Sequence, residues 1–137
     1  MNERINDKIK EIEKYLEDLS SYVPFDFDEY VKDSKTKNAC EHCFEKIIEA
    51  LADLAFLIIQ QKGFSIPKDD AGAFFVLAEN KLISENLALK LKEAKSMRNF
   101  IAHEYGKVND ELVFEAISGE IFKDTEEFIK EIKNVLK

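Results

Sequence analysis

Glycine and proline occur only six times in 137 residues, at Pro24, Gly63, Pro67, Gly72, Gly106 and Gly119, so the chain divides into a few long segments separated by short breaks. Helical periodicity fills those segments. Ile5, Ile9, Ile12, Leu16, Leu19 and Val23 follow a 4-3-4-3-4 spacing, which makes one continuous apolar stripe on a helix. After Pro24 the aromatic piece Phe25, Phe27, Tyr30 and Val31 predicts a short helix, and the polar run 33–38 a bend. From about Ser34 to Lys62 the apolar positions Cys40, Phe44, Ile47, Leu51, Leu54 and Ile58 repeat at four and three, with Gly63 placed to end the helix. Asp69 and Asp70 can cap a short helix through Phe74, Phe75, Leu77 and Ala78, and Ser84 can cap the next.

That next segment carries Leu87, Leu91 and Ala94, and the same spacing runs on through Arg98, Ile101 and Tyr105. A cation therefore occupies a seam position, where it must be paired by a covering surface or face a cleft, because an unpaired buried charge is very costly. After Gly106, Val108 and Val113 can staple a last helix capped by Asn109 or Asp110 and continuing through Ile117, Ile121, Phe128, Ile132 and Leu136. No strand-like alternation and no repeat is visible. The expectation is an all-α up-and-down bundle of four to six helices with one long second helix, forming a single domain over 1–137.

Composition bounds the function. A 45% hydrophobic, 35% charged chain is that of a folded protein with a real core. The charged N-terminus and the lack of an apolar run near the roughly 18 residues of a membrane span predict a cytoplasmic protein. Cys40 and Cys43 then read as reduced thiols rather than a disulfide. A net charge of −8 argues against broad electrostatic binding of nucleic acid, so any RNA or nucleotide contact has to be local.

One such locality exists. The chain has only two arginines, Arg4 and Arg98, and two histidines, His42 and His103. One of each falls in the run Arg98-Asn99-Phe100-Ile101-Ala102-His103-Glu104-Tyr105, which ends in Gly106. On a helix Arg98 and Tyr105 share a face, Asn99 and His103 share the neighbouring one, and Gly106 stands where a left-handed residue closes a helix.

Arg98, four residues, His103, one residue and Tyr105 near the end of a helix in a small helical bundle resemble the HEPN superfamily, and within it the HepT toxins. The resemblance extends to Glu49-Ala50-Leu51-Ala52-Asp53 on the long helix and to Val108-Asn109-Asp110 after the tyrosine, and covers nearly the whole chain. It implies a HEPN-type fold and a homodimeric, metal-independent endoribonuclease toxin of a prokaryotic toxin–antitoxin pair, with Arg98 and His103 at a dimer cleft. It also implies an MNT-type nucleotidyltransferase antitoxin as partner, which adds AMP to the motif tyrosine, here Tyr105. Neither a cofactor nor a metal is implied.

The chemistry suits these residues. RNA is cut without metal when a base takes the 2′-OH proton, the oxygen attacks the adjacent phosphate and an acid protonates the leaving 5′-oxygen. A histidine serves either transfer near neutrality, which makes His103 the proton carrier. A planar guanidinium suits the charge gathering on the phosphate oxygens, the role for Arg98. Asn99 can hold the imidazole or the sugar, and a two-fold axis would bring second copies into the same cleft.

Plainer roles compete with these. Arg98 can pair with a carboxylate such as Glu49 or Asp53 and tie helices together. Tyr105 can be a helix-end aromatic, and Asn99 can satisfy a carbonyl across the bundle. Cys40-Glu41-His42-Cys43 is only half a zinc site, since no second Cys or His pair has suitable spacing. Lys90, Lys92 and Lys95 read as a solvated face that can guide RNA. The alternative function is a non-catalytic nucleotide- or substrate-binding or scaffolding subunit of a minimal nucleotidyltransferase complex, which the acidic charge favours and the paired Arg98 and His103 disfavour.

Overall fold

The computed structural model describes residues 2–103 and 109–136; the side chains of Ala102 and His103 are outside that description, as are Tyr105, Gly106 and Val108. The helices are α1 (Glu3–Tyr22), α2 (Phe27–Lys32), α3 (Ser34–Lys62), α4 (Asp70–Glu79), α5 (Glu85–His103), α6 (Asp110–Glu115) and α7 (Ile121–Val135), with a π-helical turn at Ala116–Glu120 between the last two. The described residues contain no strand. The long helix is third in chain order once the short α2 is counted.

Sequence chemistry sets the ends. Asn2, Asp26, Asp33, Asp69 and Asn109 each accept backbone N–H groups of the helix they start, and the Leu87 N–H donates to Ser84 Oγ at 3.1 Å. Gly63 closes α3 with φ 73°, a left-handed conformation that glycine adopts without a Cβ clash.

The 4-3 stripe of α1 faces the core, with Ile5, Ile12 and Leu19 fully buried. It packs along α3 in antiparallel fashion, as shown by Lys8 meeting Asp53 and Lys46 lying over the Tyr15 ring. α3 buries residues on most of its circumference, from Cys40 to Ile59, because α1, α2, α4, α5 and the π turn all contact it. α4 and α7 both pack on α5, and Phe74 of α4 meets Phe128 of α7 edge to face at 6.2 Å. Among the described residues no helix is long and apolar enough to cross a membrane.

One expectation is corrected. The last helix is not uniform, since its backbone widens at Ala116–Glu120, where the Ile121 N–H reaches back to the Ala116 carbonyl. Val113, Ile117, Ile121 and Thr125 are spaced four apart and all are buried. A 4-4-4 spacing outruns the 3.6 residues of an α turn, so the stripe would rotate off the core. A π turn absorbs the extra residue and returns Phe128 and Ile132 to the interior.

Candidate functional site: the C-terminal half of α5

α5 changes character along its length. Leu87, Ala88 and Leu91 are essentially inaccessible, whereas Ala94, Met97, Arg98, Asn99 and Ile101 are half-buried and Phe100 is exposed. The stripe that starts in the core thus emerges from it within two helical turns, and Arg98 stands where it emerges.

The Arg98 Nη1–H donates to Asn99 Oδ1 at 3.3 Å, so the guanidinium leans toward the neighbouring face of the helix. Its Nε is shielded from solvent and has no hydrogen-bond partner among the described residues. Among the described residues no carboxylate pairs with it. Asp53, one of the carboxylates expected to hold it, lies 3.6 Å from Lys8 instead, and Glu49 is exposed beside Tyr15 and His42. The helix-tying alternative for Arg98 therefore has no partner in α3. Nearby lysines behave differently: Lys95 is 3.0 Å from Asp70 at the start of α4 and Lys90 is 3.9 Å from Asp124 of α7, so two of the three lysines of the expected solvated face are tied to acids on other helices.

His103 is the last residue of α5, and its side chain lies outside the described residues, as does Tyr105. What is described on the far side of that segment is Asn109, whose Oδ1 accepts from the N–H groups of Glu111 at 3.1 Å and Leu112 at 3.3 Å. The start of α6 is further fixed by Lys37, whose Nζ is 2.9 Å from Asp110 Oδ1. Glu41, which accepts from the Tyr30 hydroxyl at 3.5 Å, completes this group. Burial pushes its carboxyl above the ordinary range, with Asp110 adding to the shift and Lys37 opposing it. These groups tie the start of α6 to α2 and α3, and sequence spacing gave no hint of them because the partners lie up to 73 positions apart.

Cys40 and Cys43 are free and buried. Burial pushes the Cys40 thiol up to about 11 and raises Cys43 as well, which suits inert core residues rather than ligands or nucleophiles. Among the described residues no group of three His, Cys, Asp or Glu side chains is arranged to hold a metal ion.

Comparison with known proteins sets this site in context. The family described as "Ribonuclease HepT-like" matches residues 12–132. The mRNA nuclease HepT of Shewanella oneidensis is 29% identical over 133 residues, covering 97% of this chain and 98% of that protein. The tRNA nuclease HepT of Aphanizomenon flos-aquae is 24% identical over 114 residues, covering 83% and 78% respectively. Among solved structures, the tri-AMPylated Shewanella oneidensis HEPN toxin in complex with MNT antitoxin superposes with a TM-score of 0.91 at 28% identity, over 98% of this chain and 99% of that one.

Proposed function

Because this chain belongs to the ribonuclease HepT-like family, we propose that it is the toxin of a toxin–antitoxin pair, an endoribonuclease that cuts RNA at Arg98 and His103 in a homodimer cleft and needs no metal. The observation that carries this reading is the state of Arg98: a half-buried guanidinium with an amide neighbour and, among the described residues, no carboxylate. A phosphate is the group that would complete it, with two oxygens matched to the planar fork.

In the reaction, an imidazole at position 103 takes the proton of the 2′-OH. The oxygen attacks phosphorus, the bond to the 5′-oxygen breaks, and that oxygen leaves with a proton from a second acid. The products are a 2′,3′-cyclic phosphate and a 5′-OH. Arg98 stabilises the charge on the non-bridging oxygens, and Asn99, bonded to the guanidinium, orients it. A second imidazole from the other protomer supplies the acid without requiring one histidine to do both tasks. The motif segment offers a single carboxylate, Glu104, where a Mg²⁺ site would need several oxygen ligands.

The decisive experiment is RNA cleavage in chelator by the wild type beside His103→Ala, with end-labelled products. Metal-free cleavage giving cyclic phosphate and dependent on His103 supports the reading. Activity abolished by chelator and restored by Mg²⁺ overturns it. Sedimentation at micromolar concentration tests the dimer, and a clean monomer removes the shared cleft.

Control follows from the same site. The HEPN toxin solved with MNT antitoxin is AMPylated, and the acceptor in our reading is Tyr105, the motif tyrosine seven residues after Arg98. An AMP group there would bring a phosphodiester near the guanidinium and compete with substrate phosphate. Incubation with the cognate nucleotidyltransferase and ATP should add AMP at Tyr105, seen by peptide mass mapping, and silence cleavage without unfolding. Mass added elsewhere, or modified protein that still cuts RNA at the original rate, overturns this control.

A further inference from the structure

α4 and α5 run antiparallel, since Asp70, the first residue of α4, meets Lys95 in the second half of α5, with Nζ 3.0 Å from Oδ2. Lys95 stands three residues before Arg98 and four before Asn99. Positions three and four apart are neighbours on a helix surface, with Cβ atoms about 5–6 Å apart, and helical side chains lean toward the N-terminus. The guanidinium, bonded to Asn99 at 3.3 Å, therefore overlies the strip of α5 that Lys95 occupies one turn earlier. The carboxylate facing that strip is Asp70, and it is already taken, by an ammonium whose side chain is only 19% exposed.

We infer that Lys95 is a positioning residue of the ribonuclease: by occupying Asp70 it keeps that carboxylate from closing on Arg98, and so keeps the guanidinium open to the phosphate of RNA. The inference rests on the ribonuclease reading. A planar guanidinium binds a carboxylate through two parallel bonds, the same fork it offers a phosphate, so Asp70 and the substrate would compete for one set of donors. Lys95 prevents this twice over. Its ammonium bonds Asp70 directly, and its positive charge, one turn from Arg98, opposes the approach of a second cation to the same carboxylate.

The cost of losing Lys95 falls on substrate binding. If Asp70 holds Arg98 in a fraction of the molecules, the apparent affinity for RNA drops in proportion to the fraction left open, and a bound RNA that has displaced Asp70 finds the guanidinium as it was. KM should rise while kcat stays, which damage to the site would not produce. Lys95→Met, which keeps the packing of the aliphatic stem, should raise KM for RNA cleavage about three- to tenfold, the scale of a partly exposed ion pair. Lys95→Arg still pairs with Asp70 and should stay within twofold of wild type. Lys95→Met combined with Asp70→Asn should return KM to within twofold of wild type, because the competing carboxylate is gone.

Three kinetic results overturn the inference. Lys95→Met with KM within twofold of wild type shows that Asp70 does not compete. A double variant that keeps the raised KM makes Lys95 a contact to RNA instead. Asp70→Asn alone should leave KM within twofold; if it lowers KM by the factor that Lys95→Met raises it, the effect is one of overall charge. A second readout needs no cleavage. The chain has only two arginines, Arg4 and Arg98, so the full-length protein labelled with nitrogen-15 should give two side-chain Nε–H resonances, which Arg4→Lys assigns. Lys95→Met should shift the Arg98 resonance, and adding Asp70→Asn should return it to the wild-type position. A resonance that stays in place in Lys95→Met overturns the inference. A wild type that cuts no RNA while the Arg98 resonance responds in this way would overturn the ribonuclease reading and support the competition between Lys95 and Arg98 for Asp70.

Discussion

Lys8 and Arg98 are both half-buried cations, and the fold treats them in opposite ways. Lys8 sits between α1 and α3 with Glu11 at 2.9 Å and Asp53 at 3.6 Å. Burial lowers its pKa, yet these carboxylates more than offset that and raise it. The same bond from Lys8, helped by the Tyr15 hydroxyl, holds the Glu11 carboxyl below the ordinary range. Among the described residues Arg98 has no partner for its shielded Nε and one bond to a neutral amide. Partial desolvation without a counter-ion is unfavourable for folding. A cation left in that condition, in a protein that pairs Lys8, Lys37, Lys90 and Lys95 with acids, is disposed to bind an external anion.

Activity is where the two cations should diverge most. His103→Ala should slow RNA cleavage about 10²- to 10⁴-fold, the usual contribution of a proton carrier. Arg98→Lys should stay folded and lose about 10²- to 10³-fold, because an ammonium keeps the charge but gives up the fork. Lys8→Met should cut at the wild-type rate per folded molecule. Initial rates on one RNA substrate check all three, and a fully active Arg98→Lys would break the distinction between the cations.

Stability should show the reverse order within α5 itself. Leu91→Ala removes a side chain with no exposure and should cost about 2–5 kcal/mol in urea unfolding. Arg98→Ala, seven residues on, should change stability by about 0.5 kcal/mol or less. A large loss in Arg98→Ala would return the guanidinium to a structural role.

This division within α5 also explains what could be read from the sequence. The buried half obeys periodicity, and so do α1 and α3, whose stripes appear where expected, as do the caps at Asp69 and Ser84; the run 34–38, expected to bend, is instead the first turn of α3, capped by Asp33. Local rules suffice there because each depends on residues within a turn of one another. The candidate site was legible as composition, Arg98 and His103 in one run, but its electrostatics were not. That Asp53 belongs to Lys8 depends on how α1 lies on α3, and no spacing within α3 encodes it. The π turn was hidden for a related reason. Its signal, Val113, Ile117, Ile121 and Thr125 at intervals of four, is a small excess over helical periodicity that becomes a backbone change only because the core must stay covered.

A smaller effect should follow from pH at Lys8. Because the Glu11 carboxyl is held low, its contribution is present above the ordinary glutamate range and is lost as pH falls through the lowered value. Glu11→Gln should therefore cost up to about 1 kcal/mol at pH 7, limited by its exposure, and nothing in strong acid. Lys8, with its pKa raised, keeps its contribution through neutrality and loses it only in strong base. Unfolding of wild type and Glu11→Gln at pH 3 and pH 7 would show the two converge, and a constant gap would place the loss in packing instead.

The smallest expected effect asks whether every paired lysine resembles Lys8. Asp124 is only 8% exposed, and burial pushes its carboxyl up although Lys90 opposes the shift from 3.9 Å. A carboxyl raised in the folded state holds its proton more tightly there than in the unfolded chain. Ionising it therefore weakens the fold as pH rises through the carboxylate range, and the loss stays constant above the folded value. Asp124→Asn keeps the shape and removes the charge, and Lys90 is exposed enough to be hydrated once released. The variant should match wild type in acid and gain about 0.5 kcal/mol or less at pH 7. Urea unfolding at both pH values measures the difference. A loss of more than about 1 kcal/mol at pH 7 would mean that Asp124 ties α7 to α5 as Asp53 ties α3 to α1. Arg98 would then stand alone among the described half-buried cations of this bundle in having no carboxylate.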